Sequence, residues 1–344
     1  MILIRKIFPA WCLILSLLLS GCGLNSQTDL QADTSRSTEL YAMDTVMTLT
    51  AYGEHAQEGL DAASEEIQRL DSLFSISSES GDILPLNEKK SGTLSEDTAS
   101  LLKRALEISK STDGIFDCTI APVMEAWGFP SGNYRVPEQD ELTTLLSHVD
   151  YRQVQLDGRS ASIPQNVEID LGGIAKGYTS NRVMEVFKEQ GVTSGIISLG
   201  GNVQALGLKP DGSKWRVAIQ DPNNAEDNFA VVEAQDEAII TSGGYQRYFD
   251  EGNVRYHHII DPRTGYPANS GLISVTIISK DGTLADGLST SLFIMGLSDA
   301  STYWKAHSDE FDAVLMTDDG QVYITKGIED RCSLLNGGTP QIIS

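Results

Sequence analysis

Apolar positions at Leu60, Ala63, Ile67, Leu70 and Leu73–Phe74 recur at three- and four-residue steps, so residues 56–74 read as an amphipathic helix. The same reasoning predicts helices over 96–110, with Ser95 as its cap, and over 137–146. A glycine-rich stretch at 170–177 leads into another helix from about 173 to 189, and two more follow at 283–295 and 299–307. Between them lie β-rich segments: 41–52, 153–156, 161–163, 195–206, 215–219, 229–234, 238–241, 245–249, 256–260 and 272–279. Residues 313–316 and 322–325 read as a closing hairpin around Asp319-Gly320. Strands and helices mix without a regular βαβ alternation, which favours an α+β domain with an antiparallel or mixed sheet core and packed helices. No internal repeat and no second linker is visible, so residues 39–344 are expected to form a single domain.

The first residues follow a different pattern. Arg5 and Lys6 precede a mostly apolar run from 7 to 19, too short for a comfortable membrane span of about 20 residues. Leu19-Ser20-Gly21-Cys22 follows and resembles the lipobox of bacterial lipoproteins. Residues 1–21 are therefore expected to be a signal peptide, and Cys22 the lipidated residue. The polar segment 22–38 would then be a tether. This predicts an extracytoplasmic protein, lipid-anchored to the cell (inner) membrane. Two cysteines remain, Cys118 and Cys332; in an oxidising compartment they have the option of pairing, and no C-x-x-C or zinc-ligand spacing exists.

Charge narrows the partners. Net charge is −23, from 25 Lys+Arg against 48 Asp+Glu, which argues against a nucleic-acid binder. An anionic substrate would then need a local positive patch or a metal. The chain has no G-x-x-x-x-G-K-[ST], no G-x-S-x-G and no H-E-x-x-H, so common NTPase, hydrolase and zinc-protease readings lose weight.

Four segments remain as candidate chemistry. In Asp170-Leu-Gly-Gly-Ile-Ala-Lys-Gly177, glycines opening a helix either cradle a phosphate with Lys176 or simply make a tight turn. In Ala285-Asp286-Gly-Leu-Ser-Thr290, Asp286 and Thr290 share a helix face as i and i+4. Their oxygens suit Mg²⁺, or else Asp286 caps the helix and Thr290 bonds back to the backbone. Thr241-Ser-Gly-Gly-Tyr-Gln-Arg-Tyr248 and His257-His258-Ile-Ile-Asp261-Pro-Arg263-Thr-Gly265 crowd polar and glycine residues into 25 positions, with His258 and Asp261 at a strand end and Arg263 able to meet a phosphate. Gly200-Gly201-Asn202 is either a hairpin turn or a place where a ligand approaches the backbone.

Taken in order, these segments, with Met43-Asp44-Thr45, Phe116-Asp117-x-Thr119-x-x-Pro122 and Trp127-Gly128-Phe129, resemble the ApbE family of FAD:protein FMN transferases. The matching stretches span about 41 to 295. Cys118 stands where the family commonly has proline and Gly287 where it commonly has alanine. The resemblance implies a cleft for FAD between sub-lobes and Mg²⁺-dependent transfer of FMN from FAD to a threonine hydroxyl of a target flavoprotein, with release of AMP. It implies Asp286, Thr290 and the carbonyl of Ala175 as metal ligands. His258 would be the general base or a phosphate contact, with Asp261 orienting it. Gly172, Gly173, Lys176 and Arg263 would sit near the phosphates, and Met43, Thr45 and Thr119 would line the nucleotide cleft. Tyr245 and Arg247 are further candidates. The acceptor is expected to be a redox-complex subunit or another extracytoplasmic flavoprotein with a threonine-containing motif. Two other functions share this site: Mg²⁺-dependent hydrolysis of FAD to FMN and AMP, and a flavin-binding lipoprotein without catalysis.

Overall fold

The computed structural model describes residues 35–344. The expected signal peptide, Cys22 and most of the expected tether lie outside the described residues. The last part of that tether, 35–38, is instead the start of a strand, Ser35–Ala42.

The frame is a nine-stranded sheet. In spatial order it runs Ser35–Ala42, Thr45–Tyr52, Ser194–Leu199, Asn202–Leu206, Ala238–Gly243, Leu272–Ser279, Asp312–Thr317, Val322–Thr325 and Gln341–Ile343. All neighbours are antiparallel except the last pair, so the sheet is mixed and the fold is α+β. Side-chain alternation decides what covers each face. In strand Ala238–Gly243, Ala238 and Ile240 pack against helices, whereas Ile239 faces the opposite way. There it meets a three-stranded sheet formed by Trp215–Asp221, Asn224–Ala234 and Cys332–Leu334. Strand Leu272–Ser279 is covered on both sides, so nearly all of it is buried, Ser274 and Thr276 included.

Helices Ala56–Phe74, Gly172–Glu189 and Gly282–Met295 lie against the helix-bearing face. Ala56–Phe74 has the bounds its periodicity predicts, and its buried side carries Leu60, Ala63, Ile67, Leu70 and Phe74. Helix Glu96–Ser111 is capped by Ser95, whose hydroxyl accepts the Thr98 N–H. A smaller cluster of Val123, Trp127, Phe129, Leu142 and Ile260 joins helices Ala121–Trp127 and Gln139–Leu146 to the hairpin Tyr248–Glu251/Val254–His257. No described helix is long and apolar enough to cross a membrane.

Several expectations are corrected. Residues 41–52 are not one strand but parts of two, folded over at Met43 and Asp44 with φ of 49° and 59°. Two successive left-handed residues make the turn that suits twisted hairpins, usually built from Asn-Gly, so Met-Asp hides it. Residues 195–206 form two strands that fold over at Gly200 and Gly201, in keeping with the hairpin-turn reading of that segment. The strands expected at 245–249 and 256–260 are displaced to Tyr248–Glu251 and Val254–His257. Helices Ile83–Lys89 and Ala121–Trp127 and strands Ser91–Thr93, Cys332–Leu334 and Gln341–Ile343 are too short to show a period.

Cys118 and Cys332 are both free and buried, in clusters on opposite faces of the sheet. In protein unfolded without reductant, both cysteines should therefore take up an alkylating reagent, read by peptide mass; in native protein neither should react quickly.

Candidate functional site

Two helices and one hairpin meet at Asp286. Helix Gly282–Met295 starts at Asp281, whose side chain accepts the Thr283 and Leu284 N–H groups. Asp286 is thus released from any capping task. Its Oδ2 accepts the backbone N–H of Gly177 at 2.8 Å, and its Oδ1 accepts from Asn202 Nδ2 at 3.0 Å. Burial pushes the Asp286 carboxyl above the usual range, opposed first by the charge of Lys176 and then by these two hydrogen bonds.

Glycine makes this meeting possible. A Cβ on Gly177 would lie 2.1 Å from the Gly282 carbonyl oxygen and 2.7 Å from Asp286 Cβ. Gly177→Ala is therefore expected to force the two helices apart, at about 2–3 kcal/mol of stability, with a clear fall in melting temperature. Gly287 has the same logic: a methyl there would meet Ile108 Cδ1 at 2.9 Å and Ile174 Cγ2 at 3.1 Å. Isoleucine already occupies the space.

One turn beyond Asp286, the Thr290 hydroxyl is partly exposed and lies 3.2 Å from Ser242 Oγ, which also meets Ser289 Oγ at 2.8 Å. Ala175 lies two residues before Gly177 on the facing helix. Among the described residues no group of three or more His, Cys, Asp or Glu side chains converges to hold a metal. What the site offers is one under-compensated carboxylate, with a lone pair free on each oxygen, and a hydroxyl on the same helix face. That donor set fits Mg²⁺, which binds through one or two carboxylates and completes its shell with phosphate and water.

The glycine helix supplies an anion-binding end. Asp170 Oδ1 accepts the Gly172 N–H at 2.7 Å. Gly172 and Gly173 are exposed, and the Gly173 N–H has no partner among the described residues, as expected for a helix start. Lys176 is partly exposed; its charge opposes the upward push of burial on Asp286 and Asp170 and adds to the lowering of His258.

Half-buried His258 is held by a backbone carbonyl. Its Nδ1 lies 3.1 Å from the Arg247 carbonyl oxygen. A carbonyl only accepts, so Nδ1 carries the proton and Nε2 keeps its lone pair. Burial pushes the imidazole down to about 4, against the pull of the Arg247 carbonyl, with further lowering from the charges of Lys176, Arg247 and His257. His258 is thus neutral at ordinary pH, with a basic nitrogen available.

The expectation that Asp261 orients His258 is not met. Asp261 spends both oxygens on Arg263, accepting from Nε at 2.9 and 3.1 Å and from Nη2 at 2.7 Å, and also takes the Arg263 N–H. Its backbone ties the 261–265 turn, which Trp127 Nε1 also holds through the Gly265 carbonyl. The Arg263 guanidinium therefore starts from an ion pair rather than as a free cation. Thr119 is fully buried; its hydroxyl donates to Asp117 Oδ1 at 2.6 Å and accepts the Asp150 N–H at 2.9 Å. Both of these bonds staple a loop. Tyr245 lies over Gly243, and burial pushes its phenol up, opposed by the Ser274 hydroxyl.

On the other wall, the Met43 N–H donates to Asp71 Oδ1 at 3.0 Å, pinning the left-handed turn. Thr45 sits against Gly200, where a Cβ would fall 2.5 Å from Thr45 Oγ1. The same turn delivers Asn202 to Asp286. Segments 43–45, 170–177, 200–202, 241–242 and 286–290 therefore form one continuous site, and His258 feels the charge of Lys176 within it.

The comparisons with known proteins follow the same segments. The sequence pattern of the ApbE family matches residues 43–315. A FAD:protein FMN transferase of Treponema pallidum is 30% identical over 85% of this chain and 87% of its own length. One from Vibrio cholerae is 32% identical over 77% of this chain and 80% of its own. The crystal structure of the ApbE protein of Thermotoga maritima superposes with a TM-score of 0.81 at 31% identity, covering 86% of this chain and 98% of that one. The α+β domain described above, carrying its site segments in the same order, is a member of the ApbE family.

Proposed function

We propose that this protein is an FAD:protein FMN transferase: it moves FMN from FAD to a threonine hydroxyl of a target flavoprotein and releases AMP. The observation that carries this reading is the contact of Asp286 with Gly177 and Asn202, which puts a hard carboxylate beside a phosphate-binding helix start. A protein that only stored flavin would have no need of it.

Each residue has a task. Lys176 and the exposed Gly173 N–H bind the pyrophosphate of FAD. Asp286, Thr290 and the Ala175 carbonyl would hold Mg²⁺, which when bound offsets negative charge developing on the phosphate and leaving group. His258 Nε2 takes the proton of the acceptor hydroxyl. That oxygen bonds to the FMN-side phosphorus, the bond from this phosphorus to the bridging oxygen breaks, and AMP departs with that oxygen. Thr45 and the 43–44 turn shape the wall on which the substrate rests. The Asp261–Arg263 pair would act by fixing the turn that follows His258. The lipobox-like sequence ending at Cys22 supports an anchored, extracytoplasmic enzyme whose acceptors are redox subunits or flavoproteins on the same side of the membrane.

The test is incubation of the chain from Gly23 onward with FAD, Mg²⁺ and an acceptor domain bearing a threonine motif. Intact mass and AMP release are read, with an EDTA control. A metal-dependent gain of one FMN on the acceptor is the expected result. AMP and free FMN without labelling would turn the reading toward hydrolysis, and bound FAD without AMP toward a flavin-binding protein.

A further inference from the structure

The Gly200-Gly201-Asn202 turn has a side chain in the site that the reaction above leaves without a task. Asn202 and Asp286 are both buried, 3% and 5% exposed, and Asn202 Nδ2 donates to Asp286 Oδ1 at 3.0 Å. The other oxygen is held by the Gly177 N–H. Both donors are neutral. A lysine or arginine in either place would fix the carboxylate as well but would neutralise it; an amide fixes its plane and leaves its charge for a cation.

The position of Asn202 is itself fixed. It pairs with Leu199 across the turn, and Gly200 and Gly201 adopt φ of 61° and 93°. Thr45 packed against Gly200 blocks any shift of that turn. Gln204, two residues on and so on the same face of the strand, accepts from Ser180 Oγ and donates to Asn181 Oδ1 on the glycine helix at 3.1 Å. The strand is thereby riveted to the helix that supplies Gly177. Without the Asn202 amide, Asp286 would keep one restraint, and its terminal torsion, which is intrinsically broad, would be free to turn.

We propose that Asn202 is a positioning residue that sets the orientation in which Asp286 binds the divalent cation. This rests on the metal reading of Asp286. The experiment is Mn²⁺ binding to the FAD-free protein, measured by loss of the free-ion electron paramagnetic resonance signal, with melting temperature recorded for every variant. Asn202→Ala removes the donor, and Asn202→Leu removes it while keeping the volume, so a folding failure of one leaves the other. About tenfold weaker Mn²⁺ binding or more is expected in a folded Asn202 variant, the loss usual when an outer partner of a metal ligand is removed. Wild-type binding in the folded Asn202 variants, with Asp286→Ala unable to bind, would overturn the role of Asn202 alone. If Asp286→Ala binds Mn²⁺ as the wild type does, the metal reading fails and this proposal with it.

Discussion

Asp286→Ala should reduce FMN transfer by roughly a thousandfold or more, since a bound metal supplies several kcal/mol of charge stabilisation in the transition state and each 1.36 kcal/mol is a factor of ten. The fold should survive. Two opposing effects act on stability: the Gly177 N–H and the Asn202 amide each lose an acceptor, at about 1–3 kcal/mol per buried group, while the cost of burying a carboxylate disappears. Asp286→Asn is the sharper control. It keeps the shape, but both oxygens now accept from donors, so its NH₂ must face either the Gly177 N–H or the Asn202 amide. Single-turnover AMP release beside a thermal melt separates activity from stability. Retained turnover in Asp286→Ala would sink the metal assignment.

His258→Ala should slow transfer by about 10²–10⁴-fold, the usual contribution of a general base. Its pH behaviour is more diagnostic. With the folded imidazole down at about 4, Nε2 stays unprotonated over most of the acid range, so the rate should fall only as pH drops through about 4. Stability follows a different window. The folded value lies below the unfolded one of about 6.5, so the unfolded chain binds more protons between them. The contribution of a neutral His258 is fully present above about 6.5 and is lost as pH falls toward 4. His257, lowered by burial against the pull of the Ala268 carbonyl, acts in the same direction. A pH series of melting temperatures for wild type and His258→Gln should show a shallower acid slope in the variant. Equal slopes would mean that the imidazole is not buried neutral.

The fold was legible where periodicity runs long. Helix Ala56–Phe74 follows from apolar spacing alone, and strand Leu272–Ser279 from its richness in β-branched residues. The turn at Met43-Asp44 was not, because left-handed backbone there is held by Asp71, 28 positions away, rather than announced by Asn-Gly. The site divides in the same way. Asp286 and Thr290 declare a shared face through their i, i+4 spacing. That Asn202 would meet Asp286 is a fact of strand order, and no local pattern encodes it. Proximity in sequence also misled: three positions separate His258 from Asp261, yet a carbonyl eleven positions upstream holds the histidine, and Asp261 turns to the arginine two positions on. A hairpin carbonyl and an arginine side chain won over the expected His258–Asp261 pair.

The bond between Gly177 and Asp286 spans 109 positions of the chain. No short continuous piece of this protein holds both the glycine helix start and the carboxylate that meets it. During synthesis the glycine helix emerges long before its carboxylate partner, and a chain truncated before Asp286 would present the glycines and Lys176 without it. A cation held at the proposed site would bind the folded chain more tightly than any partly folded one, and only that difference in binding free energy would add to the stability of the finished structure. For a strongly acidic protein whose unfolded carboxylates would scavenge divalent ions weakly and everywhere, that separation keeps occupancy of the site a property of the completed fold.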